Sequence, residues 1–277
     1  MSDAGALRAL QLAVLTASFV PEGVPERVAS AAVYAAVPAG SPSRREFAQW
    51  GSEPSTTSAA VDAGRLAAES YAGSPTRAVV SVVTDLYGWK GAIGCVGIGA
   101  AARMIDRVRQ APACFDGPQV PEPPVNDESR PTLIRIRRSF DLVPPPWTIM
   151  AWQPRLLSRW WAYHEEVMAP SQLTGEEKRL ALIVTSAALG LGELAAAYKD
   201  LLTNWTDEEI EAMTHTESIR LRKGVRTAIT SLSAYAVGAL ESERFELAAK
   251  AMPVQRADEF RSIVDLATGL AAFARLS

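Results

Sequence analysis

The stretch from Leu173 to Leu202, LTGEEKRLALIVTSAALGLGELAAAYKDLL, carries the clearest helix signals in the chain. Thr174 precedes Glu177 by three residues, a capping-box spacing that predicts a helix start. Apolar residues then recur at helical spacing and predict one buried face, formed by Leu180, Ile183, Val184, Ala187 and Ala188. Glycines interrupt this run before a second apolar segment, residues 194–202. The stretch therefore predicts two consecutive helices.

The composition is that of a folded, water-soluble protein. With 277 residues, 48% hydrophobic and 21% charged, the chain is long enough for one large domain or two ordinary ones and can bury a core. A net charge of -3 gives no electrostatic reason to expect a nucleic-acid partner. Two cysteines, Cys95 and Cys114, are too few for a disulfide framework. We expect a reduced, cytoplasmic protein.

The apolar run Ala9–Val20 resembles a signal peptide in length only. One basic residue, Arg8, precedes it, and a clear small-residue cleavage site is missing, so it is interpreted as a core helix. No apolar run is long enough to span a bilayer, and we expect no membrane partner.

Helical periodicity dominates the rest of the chain, and few segments alternate as strands do. Val79–Val83 is compatible with a strand or a buried helix, and the prolines at 144–146 predict an extended break. The fold class is therefore predicted to be all-α. The further predicted helices are 4–18, 24–37, 56–71, 91–108, 132–140, 156–168, 207–213, 217–240, 243–252 and 257–276.

A proline-rich segment, 116–131, has the composition of an extended linker. It divides the chain into predicted domains at 1–115 and 132–277. A shift of 170 positions pairs Leu10 with Leu180 and Gly99 with Gly269, and the order of predicted helices repeats as well. We therefore expect two related helical units.

Three segments of the second half resemble the alkyl hydroperoxidase D / carboxymuconolactone decarboxylase family: RRSFDLVPPPWTIMAWQPRLLSRWWAYHEEVM, LTGEEKRLALIVTSAALGLGELAAAYKDLL and LTNWTDEEIEAM. The resemblance covers about half of the chain and extends weakly to residues 4–110. It implies two pseudo-repeated alkyl hydroperoxidase D-like helical units and assembly as a homodimer or homotrimer.

The residues that perform redox chemistry in this family are replaced here. By spacing, the family's glutamate position is Arg179, its two cysteine positions are Leu191 and Leu194, and its histidine position is Tyr198. Dithiol peroxidase chemistry needs an attacking thiolate and a resolving thiol, and leucine supplies neither. We therefore expect no dithiol peroxidase activity, and neither a cofactor nor a metal.

The re-lined family site defines the candidate residues for other chemistry. Arg179 would bind an anion, Tyr198 would donate a proton and Glu193 would act as a base. The alternative for Arg179 and Glu193 is a solvated helix face. The candidate pocket residues are Trp152, Trp160, Tyr163, His164, Leu191 and Leu194. Aromatic residues also anchor cores and oligomer interfaces, so both interpretations stay open.

Gly97-x-Gly99-x-x-Ala102 has the form of a dinucleotide-binding turn, which requires a preceding strand. Ala92–Val96 is a poor strand, and close helix packing is the competing explanation. Cys95 has no basic neighbour and is typical of a small buried hydrophobe. The two histidines, His164 and His215, lack metal-site spacing.

Three functions follow as hypotheses. The first is a cofactor-free enzyme of biosynthesis that cyclises, isomerises or decarboxylates a small organic molecule by acid–base chemistry, supported by analogy with the decarboxylase branch of the family. The second is a catalytically inert binding or assembly protein on the same scaffold. The third is a nucleotide-dependent enzyme that uses Gly97 to Ala102.

Overall fold

Every regular element in the described part of the chain is an α-helix. The computed structural model describes residues 3–19, 21–48, 57–73, 75–109, 119–124, 126–213, 221–239, 242–274 and 276. The prediction of an all-α fold is confirmed for these residues. Their fourteen helices are α1 (Asp3–Phe19), α2 (Glu26–Ala36), α3 (Pro42–Ala48), α4 (Ser58–Ala72), α5 (Arg77–Ile105), α6 (Arg130–Phe140), α7 (Pro145–Met150), α8 (Pro154–Met168), α9 (Gly175–Ala188), α10 (Gly192–Lys199), α11 (Asp207–Ala212), α12 (Lys223–Val237), α13 (Ser242–Lys250) and α14 (Val254–Ala274).

The chain forms two compact units. The first unit comprises Met1–Val108, Pro112–Tyr163 and Gly269–Ser277, and the second comprises Arg109–Ala111 and His164–Thr268. The predicted division at the segment 116–131 stays a prediction, as does the repeat, and residues 116–118 and 125 of that segment lie outside the described residues. No helix in the described ranges is long and apolar enough to cross a membrane.

Helix α5 is the centre of the first unit. All residues from Gly91 to Ile105 are buried, so this limb of the helix is surrounded on every side, and α1, α2, α3 and α4 pack against α5. A Cβ added at Gly99 would lie 2.7 Å from the Cβ of Ser70 on α4. The glycine therefore permits the close approach of two helices.

The same helix decides two open questions from the sequence. Val79–Val83 is helical: Val79, Val80 and Val83 are buried in the first limb of α5, whereas Val82 is 41% exposed. Gly88, with φ 65° and ψ 176°, bends α5 between its two limbs, a conformation that favours glycine. The helix runs without a break through Val96 and Gly97, so the strand that a dinucleotide-binding turn requires is not formed there.

The prolines at 144–146 begin a helix, and the expected extended break is confined to one residue. Pro144 is extended at φ -60° and ψ 150° and caps α7, whose first two residues are prolines. Proline fits at the start of α7 because the first turn of a helix needs no backbone N–H donors and the φ of proline is already helical.

In the second unit, α9 packs against α10 and α12. The predicted capping box is confirmed, because the Thr174 hydroxyl accepts from the N–H of Glu177 at 3.2 Å and the Glu177 carboxylate accepts from the N–H of Thr174 at 2.8 Å. Gly190 has φ 74° and ends α9 before α10 starts. The predicted pair of helices in the stretch 173–202 is thus present.

Candidate functional site

Two predicted site residues, His164 and Tyr198, meet in the second unit. His164 lies near the end of α8 and Tyr198 near the end of α10, and the Nε2 atom of His164 is hydrogen-bonded to the Oη atom of Tyr198. Their ring centroids lie 5.9 Å apart at an interplanar angle of 46°. The two side chains are 6% and 2% exposed. The pairing of these residues is long-range and was not expected from the sequence.

Burial keeps both members of the pair neutral at neutral pH. It lowers the pKa of His164 from its ordinary 6.5 to about 3, because the imidazolium form loses its hydration. Burial also raises the pKa of Tyr198 well above its ordinary value, and the positive charge of Arg179 opposes this shift. A neutral imidazole and a protonated phenol therefore share the hydrogen bond.

Arg179 and Glu193 are placed differently with respect to this pair. Arg179, on α9, is half-buried, and its charge acts on the Tyr198 phenol. Its Nη1 atom lies 3.5 Å from the carbonyl oxygen of Leu201, at the outer limit of a hydrogen bond. Glu193 is exposed in the first turn of α10. The charge of Arg179 thus acts on one member of the pair, Tyr198, whereas the Glu193 carboxylate faces solvent.

The two leucines that are predicted to occupy the family's cysteine positions are core residues. Leu191 precedes α10 and is 3% exposed, and Leu194, in the first turn of α10, is 1% exposed. Ala195 and Ala197 beside them are buried too. These side chains provide an apolar surrounding on the helix that carries Tyr198.

The aromatic candidates belong to the first unit. Trp160 is fully buried and packs edge-on against Tyr163 and Phe273, with centroids 6.4 and 5.9 Å apart. Trp152 is half-buried and donates its Nε1 hydrogen to the carbonyl oxygen of Pro121 at 3.2 Å. The packing of Trp160 and Tyr163 is that of an aromatic core, and their role in a pocket stays a prediction.

A charged cluster beside the pair was missed in the sequence. Lys178, within the polar run GEEKR, has the composition of a solvated face, yet it is 2% exposed. Its ammonium group lies 3.2 Å from the carboxylate of Glu259. The two residues are 81 positions apart in the sequence (259 − 178). No local pattern relates two residues so far apart, so the sequence carried no signal for this ion pair.

Among the residues that the structure describes, no group of three or more histidine, cysteine, aspartate or glutamate side chains is arranged to hold a metal ion. Cys114 and His215 lie outside the described residues. Comparisons with family models, with curated proteins and with solved structures find no match to this chain. The resemblance to the alkyl hydroperoxidase D family therefore stays a prediction from the sequence.

Proposed function

We propose that the protein is a redox-inactive, alkyl hydroperoxidase D-like enzyme that performs cofactor-free acid–base chemistry on a small organic molecule. The observation that carries this proposal is the buried hydrogen bond between His164 and Tyr198, with the charge of Arg179 acting on the same phenol. Buried polar groups with strongly shifted pKa values are concentrated at functional sites.

In this proposal Tyr198 is the general acid. With the imidazole proton on Nε2, His164 donates to the Tyr198 oxygen, and the phenolic proton is available to a substrate oxygen that gains negative charge. The tyrosinate that is left is stabilised by that hydrogen bond and by the charge of Arg179. The tyrosinate then recovers a proton from another atom of the substrate, so an isomerisation consumes no net proton.

Arg179 contributes binding in the same scheme. Arg179 is half-buried, so it is accessible from solvent, and its charge acts on the Tyr198 phenol. A planar guanidinium pairs well with a carboxylate or an enolate oxygen. Because the Glu193 carboxylate is exposed, we assign the role of the base to the tyrosinate form of Tyr198, with His164 as its hydrogen-bond donor.

The test is a screen of the purified protein against small carboxylates and polyketide-like aromatic compounds, read by native mass spectrometry for binding and by product analysis for turnover. The Tyr198→Phe variant should lose about 10²–10⁴-fold in rate, the usual contribution of a positioned acid. Tyr71→Phe is the matched control, since the Tyr71 hydroxyl donates to Asp106 at 3.0 Å in the first unit. Equal turnover in wild type and Tyr198→Phe would contradict the proposal.

The second candidate is a catalytically inert binding or assembly protein. The burial of Leu191 and Leu194 supports it, because filled core positions at the old redox site need no substrate. In that case no compound is turned over, Glu193→Gln and Tyr198→Phe have no functional effect, and a binding partner is retained by both variants. Peroxide turnover with a thiol reductant is expected under neither proposal.

A further inference from the structure

The carboxyl-terminal end of α8 is capped by a lysine from α9. The ammonium group of Lys178 donates to the carbonyl oxygens of Val167 at 2.8 Å and of Ala169 at 2.6 Å. These carbonyls belong to the group that a helix end leaves without intrahelical partners, at the negative end of the helix dipole. Lys178 is 2% exposed, so this charge is held inside the second unit.

Glu259, on α14, completes the cluster. Its carboxylate lies 3.2 Å from the Lys178 ammonium and accepts hydrogen bonds from the Ser171 hydroxyl at 2.5 Å and from the N–H groups of Gln172 and Leu173 at 3.0 Å each. Burial raises the pKa of Glu259, but the hydrogen bonds and the Lys178 charge lower it by more, so the net pKa lies below its ordinary value. Glu259 therefore stays ionised and holds the connection between α8 and α9.

The cluster is attached to α8 and α9, two of the three helices that carry the candidate site. Val167 follows His164 by three residues on α8, and Lys178 directly precedes Arg179 on α9. Tyr198 lies on α10, which packs against α9, so a shift of the α8 end relative to α9 would move His164 away from Tyr198. We propose that Lys178 and Glu259 are positioning residues, which fix the last turn of α8 against α9 and thereby hold His164 in its hydrogen bond with Tyr198.

Only the expected effect on turnover rests on the proposed function; the effect on the His164–Tyr198 hydrogen bond does not. Arg222 offers a matched comparison, because it also binds residues at the α8–α9 connection but makes no hydrogen bond to Val167 or Ala169 among those described. Its guanidinium binds the buried carboxylate of Glu177 at 3.0 and 2.5 Å and donates to the Gln172 carbonyl oxygen at 3.3 Å. It therefore holds the amino-terminal end of α9 and leaves the end of α8 to Lys178.

The experiment is NMR of the ¹⁵N-histidine-labelled full-length protein without substrate, which reports the hydrogen-bonded proton and the ring nitrogens of His164. Lys178→Met and Glu259→Gln should lose the low-field proton resonance of the His164–Tyr198 bond, while Arg222→Met retains it. Where the screen has identified a substrate, turnover should fall by about 10²-fold in the first two variants, as expected for a misplacement of about 1 Å.

Folded Lys178→Met and Glu259→Gln proteins with an unchanged His164 spectrum would overturn the inference and leave the proposed enzyme intact. If the protein turns over no compound but the His164 resonance is lost in these variants, the proposed function is contradicted and the positioning role is supported. If both variants fail to fold, the milder Ser171→Ala variant tests the positioning role instead. Its loss of one hydrogen bond to Glu259 must weaken the same resonance, and an unaltered signal would count against the role.

Discussion

The Tyr198 phenol and the His164 imidazole form a buried hydrogen bond between side chains 34 positions apart in the sequence. Each group is costly to bury alone, because a polar atom without a partner loses its hydration. Paired, they place two titratable groups in an apolar surrounding without a net charge.

The two residues should be energetically coupled. A double-mutant cycle of Tyr198→Phe and His164→Leu, measured by urea unfolding, is expected to give a coupling energy of about 0.5–3 kcal/mol, the range for residues in contact. The control cycle combines His164→Leu with Tyr71→Phe, since the Tyr71 hydroxyl donates to Asp106 instead. A coupling near zero for the first cycle would show that the bond is not formed in solution.

Acid should destabilise the protein through His164. Its pKa is about 3 when folded and 6.5 ordinarily, so between these values the unfolded chain binds a proton that the folded chain does not. Stability is therefore lost as the pH falls through this window, by at most about 1.4 kcal/mol per pH unit from this group. Comparing the free energy of unfolding of wild type and His164→Gln across the window isolates the effect. A difference that does not change with pH would contradict the prediction.

Gly99 should not tolerate a side chain. A Cβ there would lie 2.7 Å from both the Ser70 Cβ and the backbone nitrogen of Tyr71, so Gly99→Ala is expected to cost about 1–3 kcal/mol of stability through overpacking. Gly224, in the first turn of α12, has nothing within 4 Å of the same position. Gly224→Ala should therefore be neutral or stabilise by about 0.4–1 kcal/mol. Equal unfolding midpoints for the two variants would refute the close packing of α4 and α5.

Cys95 should be inert in the native protein. The thiol is fully buried on α5, and burial raises its pKa to about 12, so almost no thiolate is present at neutral pH. In a Cys114→Ser background, labelling by a disulfide reagent should be slow without denaturant and fast in urea. Rapid labelling of the native protein would mean that the limb from Gly91 to Ile105 opens to solvent.

Local signals in the sequence were sufficient for α9. The capping box of Thr174 and Glu177 needs residues three positions apart, and the buried face of α9 repeats within two turns, so both are visible in the sequence. Val79–Val83 is a short apolar run, so periodicity alone could not separate a helix from a strand there. The packing of α1, α2, α3 and α4 around α5 decided that question.

The sequence by itself determined the helical character of the residues that the structure describes, because composition, capping and periodicity are properties of neighbouring residues. Only the tertiary structure decided that His164 pairs with Tyr198, that Lys178 is buried against Glu259, and that Glu193 faces solvent. The physical reason is that burial and long-range hydrogen bonds depend on how helices pack, and packing brings together residues between which the sequence shows no relation.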